Sequence, residues 1–364
     1  MIYPKKIKKG ATVGIVCLSS GVLGEPFVKH EIKLIEERLA KDFGLKFKYM
    51  PNALKGEEFL KKHPEKKADD LKAAFLDEEV DLIWSALGGD DTFRTLPYLM
   101  NEDFVKIIKK HPKPFLGFSD TTNNHLMFYQ LGLATLYAPA LLSDIAELGP
   151  EIFKFTKNWL NRLFVSEENI AIKPSSVWYE SRTTFGEDQL GVQRNERKED
   201  HGHEFLYGKN TIQGELLGGC LESLSEMITG ERYADQKEIY KNYQIFPTKA
   251  QWNDKIVFIE TSEERPSPEK LKEMLGVLED KGVFSVARGL IVGKPQDEFY
   301  YDEYKEIYKD LAKKHNLPTV FNLNFGHTSP RMVLPYGRPI KINFNKKEIL
   351  LVDGILGEKI YEKN

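Results

Sequence analysis

The sequence predicts an α/β protein, with a doubly wound, mostly parallel sheet in its first half and a strand-rich α/β unit in its second. Three observations predict it. Short apolar runs alternate with longer stretches of helical periodicity, the pattern of strands linked by crossover helices. Several of those runs end in Gly, Ser or Asp, where a strand hands over to a turn. A polar, charged segment over 180–209 separates the two series.

Taken in order, Thr12 to Leu18 is a compact apolar strand, followed by a charged helix from Pro26 to Lys41 with Val28, Ile32, Ile35 and Leu39 on one face. A second strand covers Lys46 to Met50, and a helix from Pro64 to Leu76 leads into the strand Val80 to Leu87. That strand ends in Gly88-Gly89-Asp90-Asp91, where Asp91 can cap a helix carrying Phe93, Leu96 and Leu99. The run before Ser119 predicts a buried strand, Ser119 to Asn123 opens an amphipathic helix, and Ala134 to Ala138 is one more strand. A helix over Glu151 to Phe164 closes this half. In the second half, strands over Thr211–Leu217, Lys255–Glu260, Gly289–Gly293 and Thr319–Asn322 alternate with helices starting at Leu221, Pro268 and Asp302. Pro339–Phe344 and Glu348–Val352 suit a hairpin.

With 364 residues the chain has room for two domains. The expected division is 1–165 for the first, 166–209 for a linker or lid, and 210–364 for the second. A formal charge of −3 with dispersed Lys and Arg leaves no footprint for nucleic acid. Cys17 and Cys220 form no disulfide framework or zinc motif, and they fit a reducing compartment. No run suits a signal peptide or a membrane span, so the expected location is cytoplasmic, without a membrane partner.

Three residues attract attention because each lies at or just beyond the end of an apolar strand. Ser119 lies at a strand-to-helix corner, where Gly117 permits a sharp turn and the N–H groups of the first helical turn can meet a developing oxyanion. The simpler role for Ser119 or Asp120 is an N-cap. Glu260 ends the strand Lys255–Glu260, where a solvated acid is the ordinary occupant. His327 stands in the loop Asn324-Phe325-Gly326-His327, and its ordinary pKa suits a general base with an acid limb near pH 6 to 7. A serine needs a base, and the base needs an acid to hold its tautomer. Ser20, Ser329 and His125 compete for these roles. His201 and His203 without a third ligand are a weak metal signal.

The blocks Leu87-Gly88-Gly89-Asp90-Asp91-Thr92-Phe93-Arg94, Gly117-Phe118-Ser119-Asp120, Gly218-Gly219-Cys220-Leu221-Glu222, Phe258-Ile259-Glu260 and Phe325-Gly326-His327 resemble, in the same order, those of the LD-carboxypeptidase family of serine peptidases. The family includes the microcin C immunity enzymes. The resemblance implies an N-terminal domain of flavodoxin-like or glutamine-amidotransferase-like type and a strand-rich C-terminal domain. It also implies a Ser119–Glu260–His327 triad and an oxyanion hole from the N–H groups of Gly88, Gly89 and Asp120. Neither metal nor cofactor is implied, and the family is typically a cytoplasmic homodimer. Muramoyl-tetrapeptide carboxypeptidases usually carry Arg-Gly-Gly-Tyr-Gly where this chain has Leu87-Gly88-Gly89-Asp90-Asp91. That difference and the added 180–209 segment resemble the microcin-immunity branch.

The expected function is therefore a serine carboxypeptidase-type hydrolase that cleaves an amide in a small peptide or a peptidyl- or aminoacyl-nucleotide. The alternatives are release of terminal D-alanine from muropeptides, a non-catalytic immunity protein that sequesters its ligand, and an esterase. Asp90, Asp91, Phe205 and Tyr207 are the substrate-binding candidates. Segment 180–209 is expected to cover the cleft, with Arg194, Arg197 and Lys198 meeting an anionic group.

Overall fold

The computed structural model describes residues 1–165 and 167–357. Its strands in the first half are β1 (Thr12–Val16), β2 (Lys46–Tyr49), β3 (Leu82–Ser85), β4 (Phe115–Gly117) and β5 (Leu136–Tyr137). They continue as β6 (Ile170–Ala171), β7 (Val177–Tyr179), β8 (Glu196–Lys198), β9 (Glu204–Tyr207), β10 (Thr211–Cys220) and β11 (Ile256–Glu260). The last are β12 (Gly289–Gly293), β13 (Thr319–Leu323), β14 (Leu334–Pro335), β15 (Pro339–Asn343) and β16 (Glu348–Leu351). Among the described residues no helix is long and apolar enough to cross a membrane.

The first sheet has the order β14-β5-β4-β3-β1-β2, and β1 to β5 pair in parallel. This is the doubly wound arrangement expected, in which ligands bind beyond the carboxyl ends of the strands. Its interior strands are continuous apolar runs because helices cover both faces. Val13, Ile15, Leu82, Ile83, Phe115 and Leu116 are each fully buried. One edge comes from the far end of the chain: β14 pairs antiparallel to β5, joining the two halves through a shared sheet.

The second sheet runs β6-β16-β15-β10-β11-β12-β13-β9. Its centre, β10 to β13, is parallel, with β11, β12, β13 and the second half of β10 (216–220) buried, while β15, β16, β6 and β9 are antiparallel additions. Residues 166–209, expected as a linker, contribute β6 to one edge of this sheet and β9 to the other. Between them lies the separate β7–β8 pair. Pairing satisfies backbone groups of these four short strands, which composition alone does not reveal.

The helix after Ser119, Thr122–Leu131, is not amphipathic as expected, because every residue from Thr122 to Phe128 is buried. It is wedged between the sheets, and its polar side chains find protein partners. His125 contacts the Thr135 hydroxyl at 2.8 Å and the Gly117 carbonyl at 2.9 Å. The Thr122 hydroxyl accepts from the Cys220 N–H at 3.0 Å, and Asn123 accepts from the Tyr240 hydroxyl at 2.5 Å. Burial holds the His125 pKa down at about 3, so this imidazole stays neutral and structural.

Candidate active site

Ser119 directly follows β4 and Phe118, in a left-handed conformation with φ of 64°. A non-glycine residue held there stores local strain, typical of a nucleophile presented on a tight corner. The corner depends on two glycines. A Cβ at Gly117 would stand 2.6 Å from Thr121 Cγ2, and one at Gly88 would stand 2.8 Å from Ser119 Cβ. Neither Ser119 nor Asp120 acts as the cap: the capping position is Phe118, with no side-chain bond.

Glu260, the last residue of β11, is 1% exposed. Its Oε2 accepts from the His327 backbone N–H at 3.1 Å and faces His327 Nδ1 at 2.8 Å. Its Oε1 accepts from the Tyr137 hydroxyl at 2.5 Å. That hydroxyl in turn accepts from the Ser119 N–H at 3.2 Å, so the acid and the serine turn share one support. Burial and the Glu260 charge push the Tyr137 pKa well up, which keeps it a neutral donor. His327 Nε2 lies 3.1 Å from Ser119 Oγ, which completes a hydroxyl–imidazole–carboxylate chain. Chemically, such a chain can pass the serine proton to a ring whose tautomer is set by the carboxylate.

A second network pins the loop that faces Ser119. Asp120 Oδ2 accepts from the Ser19 hydroxyl at 2.6 Å and from the Thr92 N–H at 3.0 Å. Ser19 Oγ also accepts from the Asp91 N–H at 3.2 Å, and Asp91 pairs with the buried Lys67 ammonium at 2.6 Å. Burial, offset in part by those two bonds, raises the Asp120 pKa to about 6. Asp91 therefore ties the loop to the body, and its side chain caps no helix. The would-be Cβ of Gly88 lies 3.0 Å from Ser119 Oγ and 3.4 Å from the Asp120 nitrogen. Gly88 thus stands against the hydroxyl and close to the Asp120 amide, while Gly89 packs on Ser19 and Ser20.

These groups open into a cleft of about 1150 Å³ between the two halves. Gly88, Gly89, Asp90, Asp91, Ser119, Asp120 and His327 all line it. Asp90 accepts from the Tyr233 hydroxyl at 2.7 Å. Phe205 and Tyr207 do not line the cleft. Both belong to β9 at the far edge of the second sheet, where Phe205 packs edge-to-face on Phe344 and the Tyr207 hydroxyl bonds Asn316 at 2.6 Å. Of the three cations expected to face the ligand, only Arg194 does, held by Glu147 at 2.7 Å. Arg197 and Lys198 sit on β8, paired with the exposed-side acids Glu180 and Asp200. His201 stacks on Tyr301 at 4.2 Å, and burial lowers the His203 pKa to about 4. Among the described residues, the one set of metal-type donors gathered within 4.8 Å is Cys220, Glu260 and His327, which overlaps the chain above.

Sequence reasoning passed over several cleft residues. Phe185 and Phe27 expose large rings at the mouth, 56% and 65% accessible, and the Phe185 carbonyl is held by His30 Nε2 at 2.9 Å. A solitary phenylalanine in a polar loop is the signal that marks Phe185. Arg331 lines the wall, its guanidinium over the Phe118 ring at 4.5 Å and 3.2 Å from Asp144. Glu263, three residues past Glu260, places Oε2 2.9 Å from His327 Nε2.

Two family profiles match the chain. The one described as LD-carboxypeptidase N-terminal domain matches residues 13–138, and the one described as LD-carboxypeptidase C-terminal domain matches 213–342. The chain belongs to the LD-carboxypeptidase family of serine peptidases. It is similar to the crystal structure of an MccF-like protein from Streptococcus pneumoniae in complex with AMP, at 46% identity and a TM-score of 0.88 over 94% of this chain and 98% of that one. It is 26% identical to the putative carboxypeptidase YocD of Bacillus subtilis, over 94% of this chain and 96% of the relative. It is also 26% identical to the microcin C7 self-immunity protein MccF of Escherichia coli, over 80% of this chain and 79% of that protein.

Proposed function

We propose that this protein is a serine hydrolase that cleaves the amide of aminoacyl- or peptidyl-nucleotide compounds by means of Ser119, His327 and Glu260. The observation that carries the proposal is the unbroken hydrogen-bond chain from Ser119 Oγ through His327 to Glu260 at the floor of a large cleft. In this reading His327 Nε2 takes the Ser119 proton as Oγ attacks the scissile carbonyl, and the carbonyl oxygen becomes an oxyanion near the Gly88, Gly89 and Asp120 amides. The imidazolium then gives its proton to the leaving nitrogen, which departs and leaves an acyl-serine. Water, deprotonated by the same ring, releases the acid and restores the hydroxyl. Glu260 stabilises the charged ring throughout.

The nucleotide part of the proposal rests on the cleft mouth. The exposed rings of Phe185 and Phe27 offer apolar faces to a base, while Arg194 and Arg331 offer guanidinium groups to a phosphate-like linkage. A similar protein at 46% identity has been crystallised with AMP. The test compares turnover of an aminoacyl-sulfamoyl adenosine with that of a muramoyl tetrapeptide, expecting the first to be preferred by at least about tenfold in kcat/KM. Preference for the tetrapeptide would instead establish the muropeptide activity. Tight binding of either compound with no turnover, unchanged in Ser119→Ala, would establish a sequestering protein.

The revised position of the 180–209 segment gives a separate expectation. Arg194→Ser should raise KM for the nucleotide substrate several-fold, through loss of a charged contact worth roughly 1 kcal/mol or more. The double replacement of Arg197 and Lys198 by Ser should leave KM within about twofold, because exposed ion pairs contribute little. Equal effects of the two variants would refute the assignment.

A further inference from the structure

The two nitrogens of His327 face two carboxylates. Nδ1 lies 2.8 Å from Glu260 Oε2, and Nε2 lies 2.9 Å from Glu263 Oε2. An ionised carboxylate only accepts hydrogen bonds, so each ring nitrogen must carry a hydrogen to satisfy its partner. The ring in this arrangement is an imidazolium. An imidazolium has no lone pair at Nε2, and the Ser119 hydroxyl 3.1 Å away has nowhere to send its proton.

We propose that Glu263 is a built-in restraint on the base: in the free protein it holds His327 in the charged form, and the serine becomes reactive when Glu263 lets go. The proposal rests on the serine mechanism above and adds a resting state to it.

Exposure of the two acids separates their roles. The Glu260 side chain is 1% exposed and held by three hydrogen bonds, so it cannot leave. The Glu263 side chain is 65% exposed on the loop after β11, so water can solvate it once it swings aside. The carboxylate occupies cleft space beside the hydroxyl, where an acyl group must enter. A substrate shifts the equilibrium only by interacting differently with the two arrangements. Occupying that space, or offering a proton donor to Glu263, does so.

The other charged and titratable groups around the ring do not perform this function. Tyr137 donates to the far oxygen of Glu260. The Cys220 thiol is buried, with its pKa pushed well up, and stays neutral. Glu222 is buried beneath Ser262, taking its N–H and hydroxyl at 2.8 Å each. Arg331 lies across the Phe118 ring and is paired with Asp144. Glu264 is drawn off by Arg232 at 2.8 Å. Burial alone would lower the His327 pKa, but Glu260 and then Glu263 overcome it and raise the group to about 10, while the His327 contact lowers Glu263 to about 2.

The base must be neutral, so the serine gains reactivity as pH rises through the His327 pKa, and removing the Glu263 charge moves that midpoint down. The experiment measures the second-order rate of Ser119 labelling by a small fluorophosphonate across pH 5 to 10, for the intact protein, Glu263→Gln and Glu263→Ala. Both variants should label about tenfold faster or more at pH 7, with the midpoint at least about one pH unit lower. In steady state, the acid limb of kcat/KM reports the free protein and that of kcat the complex. The two limbs should lie apart in the intact protein and converge in the variants. An unmoved midpoint, or slower labelling at pH 7 in both variants, overturns the proposal. If Ser119→Ala labels as fast as the intact protein, the underlying serine mechanism fails instead, and the two failures are distinguishable.

Discussion

Ser119→Ala is expected to lower kcat by about 10³-fold or more, and Glu260→Ala and His327→Ala are expected to do likewise. The distances support three roles in one event: Oγ lies 3.1 Å from Nε2, and Nδ1 lies 2.8 Å from a carboxylate that cannot reach water. Groups that move one proton together lose nearly everything when any one is removed. The triple variant should therefore be little worse than the worst single variant, and its residual activity should come from binding and the amides near Gly88. The measurement is single-turnover kinetics on the aminoacyl-sulfamoyl adenosine, with far-UV circular dichroism to confirm folding. A Ser119→Ala protein keeping more than a tenth of the original rate would remove the serine mechanism, and losses that multiply would show independent roles.

The second large effect is expected at a residue that carries no functional group. Gly326 precedes His327 with φ of +84°, a conformation that costs any side chain. A Cβ there would come within 2.3 Å of the Glu260 carboxylate, a group with no room to retreat. Gly326→Ala must therefore displace either Glu260 or the His327 loop, and both routes break the 2.8 Å contact at Nδ1. The loss in kcat should be about 10²-fold or more, short of the loss on removing the acid outright because Glu260 itself is retained, with a smaller change in KM. A melting curve separates this from unfolding, because the clash is local. If kcat stays within threefold of the original, the chain from Glu260 to His327 is not what orients the base.

How much of this was available before folding is clearest at individual residues. Ser119, Glu260 and His327 stood out in the sequence at or just past the ends of apolar runs, where an α/β sheet presents residues at one edge, but the runs alone left each an ordinary role, and it was the family resemblance that grouped the three. The doubly wound arrangement was legible from the same runs: β1, β3 and β4 are apolar without alternation, as strands covered on both faces must be, whereas β2 at the sheet edge alternates lysines with aromatic rings. Tyr137 was hidden in plain sight. Its strand looks like core, and only the approach of β11 from the other half shows its hydroxyl bridging Ser119 and Glu260.

Phe205 and Tyr207 failed for a related reason. A glycine-bearing polar stretch conceals the short strand β9, and pairing with β13 carries both rings to a sheet edge remote from the cleft. Phe185, from the same stretch, reaches the cleft mouth instead, against His30 of the first half. Glu263 has no signature in sequence, since an acid beyond a strand end is ordinarily solvated. The amino-acid sequence by itself determined the alternation of strands and helices, and with it the residues set at strand ends, because periodicity and turn chemistry are local. Which of those ends meet was decided by the tertiary structure alone. The contact of His327 with Ser119 spans 208 positions, and only the joint packing of two sheets sets such a distance.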